Sequence, residues 1–114
     1  MVKVYGIPNC DTVKKARKWL DNKGIDNEFV DFRKTPLSAA RLKNWAATIG
    51  WETLLNKRSR TWRELPDSQK ESLNKSKALT LMQEIPTLIK RPVLDKDGEI
   101  LVGFKESEYQ SLFD

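Results

Sequence analysis

The stretch Val2-Lys-Val-Tyr-Gly-Ile-Pro-Asn-Cys10-Asp-Thr-Val13 decides the fold. Its first four residues read as a short strand, and Gly6-Ile-Pro-Asn9 holds the turn formers that end one. From 11 to 23 the period becomes helical. Val13, Ala16 and Leu20 recur at i, i+3 and i+7, while Lys14, Lys15, Lys18 and Asp21 take the outer face. Gly24 supplies a C-terminal stop. Residues 29–32, with Phe29, Val30 and Phe32, read as a second strand. The opening is therefore a β-α-β unit, whose strands run parallel with a right-handed crossover.

Further along, Ser38 reads as an N-cap before Ala39, Leu42, Trp45, Ala46 and Ile49 at helical spacing, with Gly50 ending that helix. Residues 51–63 read as an irregular, basic connection anchored by Trp62. A short helix is expected at about 68–73 and a longer one at 75–84, where Ala78, Leu79, Leu81 and Met82 are apolar. Prolines bracket a turn at 86–92. Val93-Leu94 and Ile100-Leu-Val102 then flank Asp95-Lys-Asp-Gly98 as a β-hairpin, before a last helix at 106–113. The order β-α-β … β-β-α, with helices in the middle, is a thioredoxin-like α/β fold. It predicts one domain over 1–114, with a core of about 1–35 and 86–114 and a helical insertion at about 37–84.

The 114 residues suit a single hydrophobic core. One cysteine allows no internal disulfide, and the absence of histidine removes any Cys-His couple and leaves no basis for a metal site. The N-terminal residues lack the apolar core of a signal peptide, and no apolar run approaches the ~20 residues of a membrane span. The expectation is a cytoplasmic protein with no bound cofactor. The net charge of +5, from 21 Lys+Arg against 16 Asp+Glu, favours anionic partners.

Cys10 is the chemically distinctive residue, because it stands in the turn where a strand meets a helix. Unpaired N–H groups and the positive end of the helix dipole stabilise a thiolate there. Lys14, one turn on, adds positive charge, whereas Asp11 opposes a second anion. A buried structural cysteine accounts for the same position, since free cysteines are among the most buried residues. Arg91-Pro92 is the second feature, a permanent cation in a rigid turn, cis or trans, that a thioredoxin-like fold sets beside Cys10. A solvated loop arginine is the plainer alternative. The third is the basic run Asn56-Lys-Arg-Ser-Arg60 with Trp62-Arg63, which has the composition of a nucleic-acid surface. An anchoring tryptophan among solvated charges explains it more cheaply, so nucleic acid is not the expected partner.

Tyr5-Gly-Ile-Pro-Asn-Cys-Asp-Thr12, Leu54-Leu-Asn-Lys-Arg-Ser59, Ile89-Lys-Arg-Pro-Val93 and Leu101-Val-Gly-Phe-Lys-Glu106 together resemble the ArsC (arsenate reductase) family. Within it they are most similar to the YffB-like branch, which is related to the Spx transcriptional regulators. The resemblance implies a thioredoxin-like core, a redox nucleophile at Cys10 and anion binding by Arg91. Departures count against arsenate as the substrate. Asn56 stands where arsenate reductases of this type carry an arginine, with Arg58 and Arg60 nearest. The Gly103-Phe104-Lys105 stretch replaces a further arginine, and Gly6 replaces a histidine. Val13 stands where Spx-like regulators place the second cysteine of Cys-x-x-Cys.

The reading that follows is a glutathione-dependent reductase in which Cys10 forms an adduct and an external thiol resolves it. Arg91, beside Pro92, would orient the anionic group, with Arg58 and Arg60 as further candidates. Asn9 and Thr12 would position the cysteine, and the amides of Asp11, Thr12 and Val13 would stabilise charge at the sulfur. Glutathione, glutaredoxin and a small anionic or disulfide substrate are the expected partners of a monomer. The alternative is a non-catalytic, Spx-like binding module, with RNA polymerase the first partner to test.

Overall fold

The computed structural model describes every residue, Met1–Asp114. Its chain order is β1 (Val2–Gly6), α1 (Asp11–Asn22), β2 (Asn27–Asp31), α2 (Ala39–Ile49), α3 (Trp51–Leu54), α4 (Arg60–Glu64), α5 (Asp67–Lys70), α6 (Lys75–Glu84), a 3-10 turn (Pro86–Leu88), β3 (Val93–Lys96), β4 (Glu99–Val102) and α7 (Glu106–Phe113). Two compact units divide it. One joins Met1–Thr35 to Arg91–Asp114, and the other is Pro36–Lys90. The first is a four-stranded sheet in the order β2-β1-β3-β4, with β1 and β2 parallel and the other neighbours antiparallel. With α1 crossing between β1 and β2, and α7 after the hairpin, this is the thioredoxin-like arrangement.

The apolar period of α1 holds as read, with Val13, Ala16 and Leu20 buried. Gly24, at φ 69°, ends the helix: its N–H donates to Asp21 O, and Ile25 N–H donates to Leu20 O. One face of the sheet, Val2, Val4 and Leu94, packs with Ala16 and Leu20 of α1 and Tyr109 of α7. Trp19 meets Tyr109 edge to face at 5.6 Å, and Phe104 does so at 4.8 Å. On the opposite face of the sheet Tyr5 and Val93 are also buried.

Several boundaries differ from the sequence reading, each for a local reason. β2 covers Asn27–Asp31 rather than 29–32, because β1 pairs with it from Val2↔Asn27 to Gly6↔Asp31. Phe32 lies just past the strand and is buried all the same. The hairpin turn is two residues, not four. Lys96 pairs with Glu99, and both Asp97 (φ 52°) and Gly98 (φ 97°) have the positive φ that a type I′ turn requires. Asp95 Oδ1 accepts the Gly98 N–H at 2.9 Å.

In the helical unit Ser38 caps α2 as expected, its Oγ accepting the Arg41 N–H. Residues 51–63 are not irregular, since they contain α3 and α4. Ser59 caps α4 through the Trp62 N–H, and a helix of five residues is too short to show a period. α5 ends at Lys70, three residues before the expected end; Glu71 is extended and Ser72 has φ 52°, which the helix cannot continue. α6 runs over 75–84 as expected, with Leu79 half-buried beside buried Ala78, Leu81 and Met82. Leu55 forms an antiparallel bridge with Ile89, flanked by Asn56 N–H to Leu88 O and Lys90 N–H to Leu54 O, both at 2.8 Å. No helix is long and apolar enough to cross a membrane.

Burial pushes the Tyr109 phenol far above its ordinary value of 10.0, and the charge of Glu108 adds to the effect. The fold therefore holds the neutral phenol. Its contribution to stability is intact below pH 10 and is lost as pH rises beyond that value, where the unfolded chain ionises first. Tyr109→Phe should remove this alkaline loss, about 1.4 kcal/mol per pH unit above 10. Urea midpoints at about pH 9 and pH 11 measure it. Equal alkaline losses in both proteins would exclude Tyr109 as the cause.

Candidate functional site

At its C-terminal end β1 runs out at Gly6, and four residues, Ile7 to Cys10, lead into α1. Cys10 is the N-cap residue of α1, with extended backbone (φ −100°, ψ 123°) and a half-buried side chain. A capping Ser or Asp would give its side chain to the helix amides. Cys10 makes no side-chain cap bond, although its carbonyl accepts the Lys14 N–H at 3.0 Å. The amides of Asp11, Thr12 and Val13 precede the first residue that can find an intrahelical acceptor. The sulfur therefore stands at a helix end where N–H dipoles favour negative charge.

The sheet brings a second group to the same end. β3 pairs antiparallel with β1 through Tyr5↔Val93, so the next position along this register sets Pro92 opposite Gly6. The Arg91-Pro92 peptide is cis. Pro92 is buried and its carbonyl accepts the Gly103 N–H at 2.8 Å, whereas Arg91 is half-buried. Cys10 and Arg91-Pro92 thus share one end of the two central strands, and both belong to the sheet unit.

The other candidate residues fall as follows. Asn9 and Asp11 are exposed, Thr12 is half-buried, and the Val13 side chain is packed in the core, which leaves only its amide for a ligand. Arg58 and Arg60 belong to the helical unit and are exposed. Arg60 Nε is 2.7 Å from Glu64 Oε1, and the Arg58 N–H donates to Asn56 Oδ1. Trp62 already has ammonium groups of its own chain against its ring, Lys57 at 5.7 Å and Lys70 at 5.5 Å. No group of three or more His, Cys, Asp or Glu could hold a metal ion.

One positioning pair escaped the sequence reading. A Cβ placed on Gly6 would lie 2.8 Å from Val13 Cγ2. The end of β1 and the first turn of α1 therefore touch with no room for a side chain, which fixes the loop carrying Cys10. The only sequence signal was a glycine at the end of a strand, four residues before Cys10.

The ArsC family profile matches residues 5–112. The chain belongs to the ArsC family. An uncharacterized protein of Haemophilus influenzae is 50% identical over 99% of each chain. The global transcriptional regulator Spx of Listeria innocua is 29% identical, over 95% of this chain and 83% of that one. Among solved structures, a protein called YFFB superposes with a TM-score of 0.94 at 42% identity over 97% of each chain. An arsenate reductase (ArsC) related protein of Brucella melitensis gives 0.78 at 45% identity, over 98% and 93%. This ArsC-family chain thus has similarity both to arsenate reductase-related proteins and to a regulator.

Gly6→Ala should destabilise the chain by about 1–3 kcal/mol through overpacking against Val13. In a Val13→Ala background the same change should cost at least about 1 kcal/mol less. A double-mutant cycle by urea unfolding checks this. A Gly6→Ala cost within about 0.5 kcal/mol of zero would show that the contact relaxes freely.

Proposed function

We propose that the chain is a thiol reductase that uses Cys10 as its only nucleophile and glutathione as the external reductant. The observation that carries this reading is the placement of the chain's one thiol at a helix N-cap, on the sheet end it shares with Arg91-Pro92. Its membership of the ArsC family, and its likeness to arsenate reductase-related structures, support a thiol-dependent oxidoreductase.

In the proposed cycle the Cys10 thiolate attacks one sulfur of a disulfide. An S–S bond to Cys10 forms, the substrate's own S–S bond breaks, and the second substrate sulfur leaves as a thiolate that takes up a proton. A glutathione thiolate then attacks the mixed disulfide and displaces one of its two sulfurs. With glutathione retained on Cys10, a second glutathione releases glutathione disulfide and returns the Cys10 thiolate. Two glutathiones are oxidised for each disulfide reduced. The external resolver, glutathione or a glutaredoxin, is required because the chain has no second cysteine. An oxyanion substrate such as an arsenic acid would enter through attack at arsenic instead. Gly6, Asn56 and the 103–105 stretch, which replace family histidine and arginines, weigh toward sulfur substrates.

Arg91 would bind a carboxylate of the incoming thiol by charge-assisted hydrogen bonds. The amides of Asp11, Thr12 and Val13 would stabilise the anionic sulfur at the helix end, with Asn9 and Thr12 beside it. The chemistry fits a reducing cytoplasm and a monomer.

The similarity to Spx favours a second reading, a binding module that docks RNA polymerase without catalysis. A pull-down with purified polymerase that retains nothing would remove it.

Incubation with glutathione disulfide, followed by intact mass, tests the reductase. The native chain should gain one glutathionyl group and Cys10→Ser none. Arg91→Ala should lower the glutathione-dependent rate by roughly 10- to 100-fold, the loss of a charged hydrogen bond. A native chain that stays unmodified until it is denatured would end the reductase reading.

A further inference from the structure

The helical unit carries a groove that the chemistry at Cys10 leaves unused. It lies between α2 and α6, has a volume of about 490 Å³ and is partly open to solvent. Ala39 and Leu79 supply apolar wall above the buried Leu42, and Lys43 and Lys75 stand along it. No carboxylate lines it, and neither lysine is held in an ion pair. A smaller groove on the other flank of α6 shares Ser76 and Thr80, adds Lys77, and again has no acidic residue.

We infer that this groove docks an acidic amphipathic helix of a partner protein. Apolar side chains of that helix seat against Ala39 and Leu79, and its carboxylates meet Lys43 and Lys75. The α6 residues lining the groove run from Lys75 to Gln83, a helical rise of about 12 Å. Anchors at i, i+4 and i+7 of a guest helix span about 10.5 Å, which fits that length. The uncompensated lysines select the sign of the guest by charge complementarity. No aromatic residue lines the groove to stack a base. A second copy of this chain would bring a net charge of +5 toward the same lysines.

The test is selection of a phage-displayed random dodecapeptide library on the full-length chain, with counter-selection on the K43E/K75E double variant. Both lysines are exposed, so the variant should keep its urea midpoint and its glutathionylation of Cys10. Enriched peptides should combine Asp or Glu with apolar residues at helical spacing. A synthetic representative should lose affinity about tenfold or more in K43E/K75E and in Leu79→Ser. It should bind Cys10→Ser unchanged, which separates this result from the fate of the reductase reading. The inference is overturned by no enrichment, by enriched peptides that are not acidic, or by affinities indifferent to Lys43, Lys75 and Leu79.

Discussion

Strand β1 is hydrogen-bonded along both edges, parallel to β2 and antiparallel to β3, and Cys10 and Arg91-Pro92 both lie beyond its C-terminal end. Its five residues carry Val4 and Tyr5 into the core from opposite faces. Slipping β3 by one residue would exchange the faces of Val93 and Leu94, both buried against β1, so packing on the two faces holds the register. The register in turn places Pro92 opposite Gly6. Gly6 against Val13 then sets the height of α1, and with it the N-cap at which the thiol stands.

The thiol unit is chemically spare. Without histidine the commonest neutral-pH general base is missing, and without a second cysteine no side chain of the chain can resolve a disulfide on Cys10. What the fold offers instead is backbone: three helix amides and the positive end of α1, which need no titration to act. Arg91, always charged, has the same property. In the proposed reductase the amides that would stabilise the Cys10 thiolate are held in place by backbone geometry, to which the contact of Gly6 with Val13 contributes.

The helical unit follows a different logic. Its longer helices bury Leu42, Trp45, Ala46, Ala78, Leu81 and Met82. Its short helices are held by caps and local bonds, Ser59 to Trp62 and Thr61 to Thr87 at 3.0 Å. The bridge of Leu55 with Ile89 secures residues 54–56 against 88–90. A surface built from helix flanks and lysines remains, suited to binding rather than to bond making.

The amino-acid pattern by itself determined the long elements, because α1, α2, α6 and α7 repeat their apolar residues often enough to declare a period. It determined the hairpin, through turn formers at 95–98, and the helix stops at Gly24 and Gly50. It singled out Cys10 and Arg91, because a lone thiol in a strand-to-helix turn and an arginine before proline are local signals. The short helices α3 and α4 lay below that limit, since a single turn has no period and is held by neighbours. The polar start of β2 was equally hidden, for Asn27 and Glu28 are strand residues only because β1 supplies their partners. Only the tertiary structure could bring Arg91-Pro92 to the end of the sheet where Cys10 stands, because 80 residues separate the two arginine-and-thiol positions in the chain. The β1–β3 ladder closes that separation through backbone hydrogen bonds, which carry no signature in side-chain sequence.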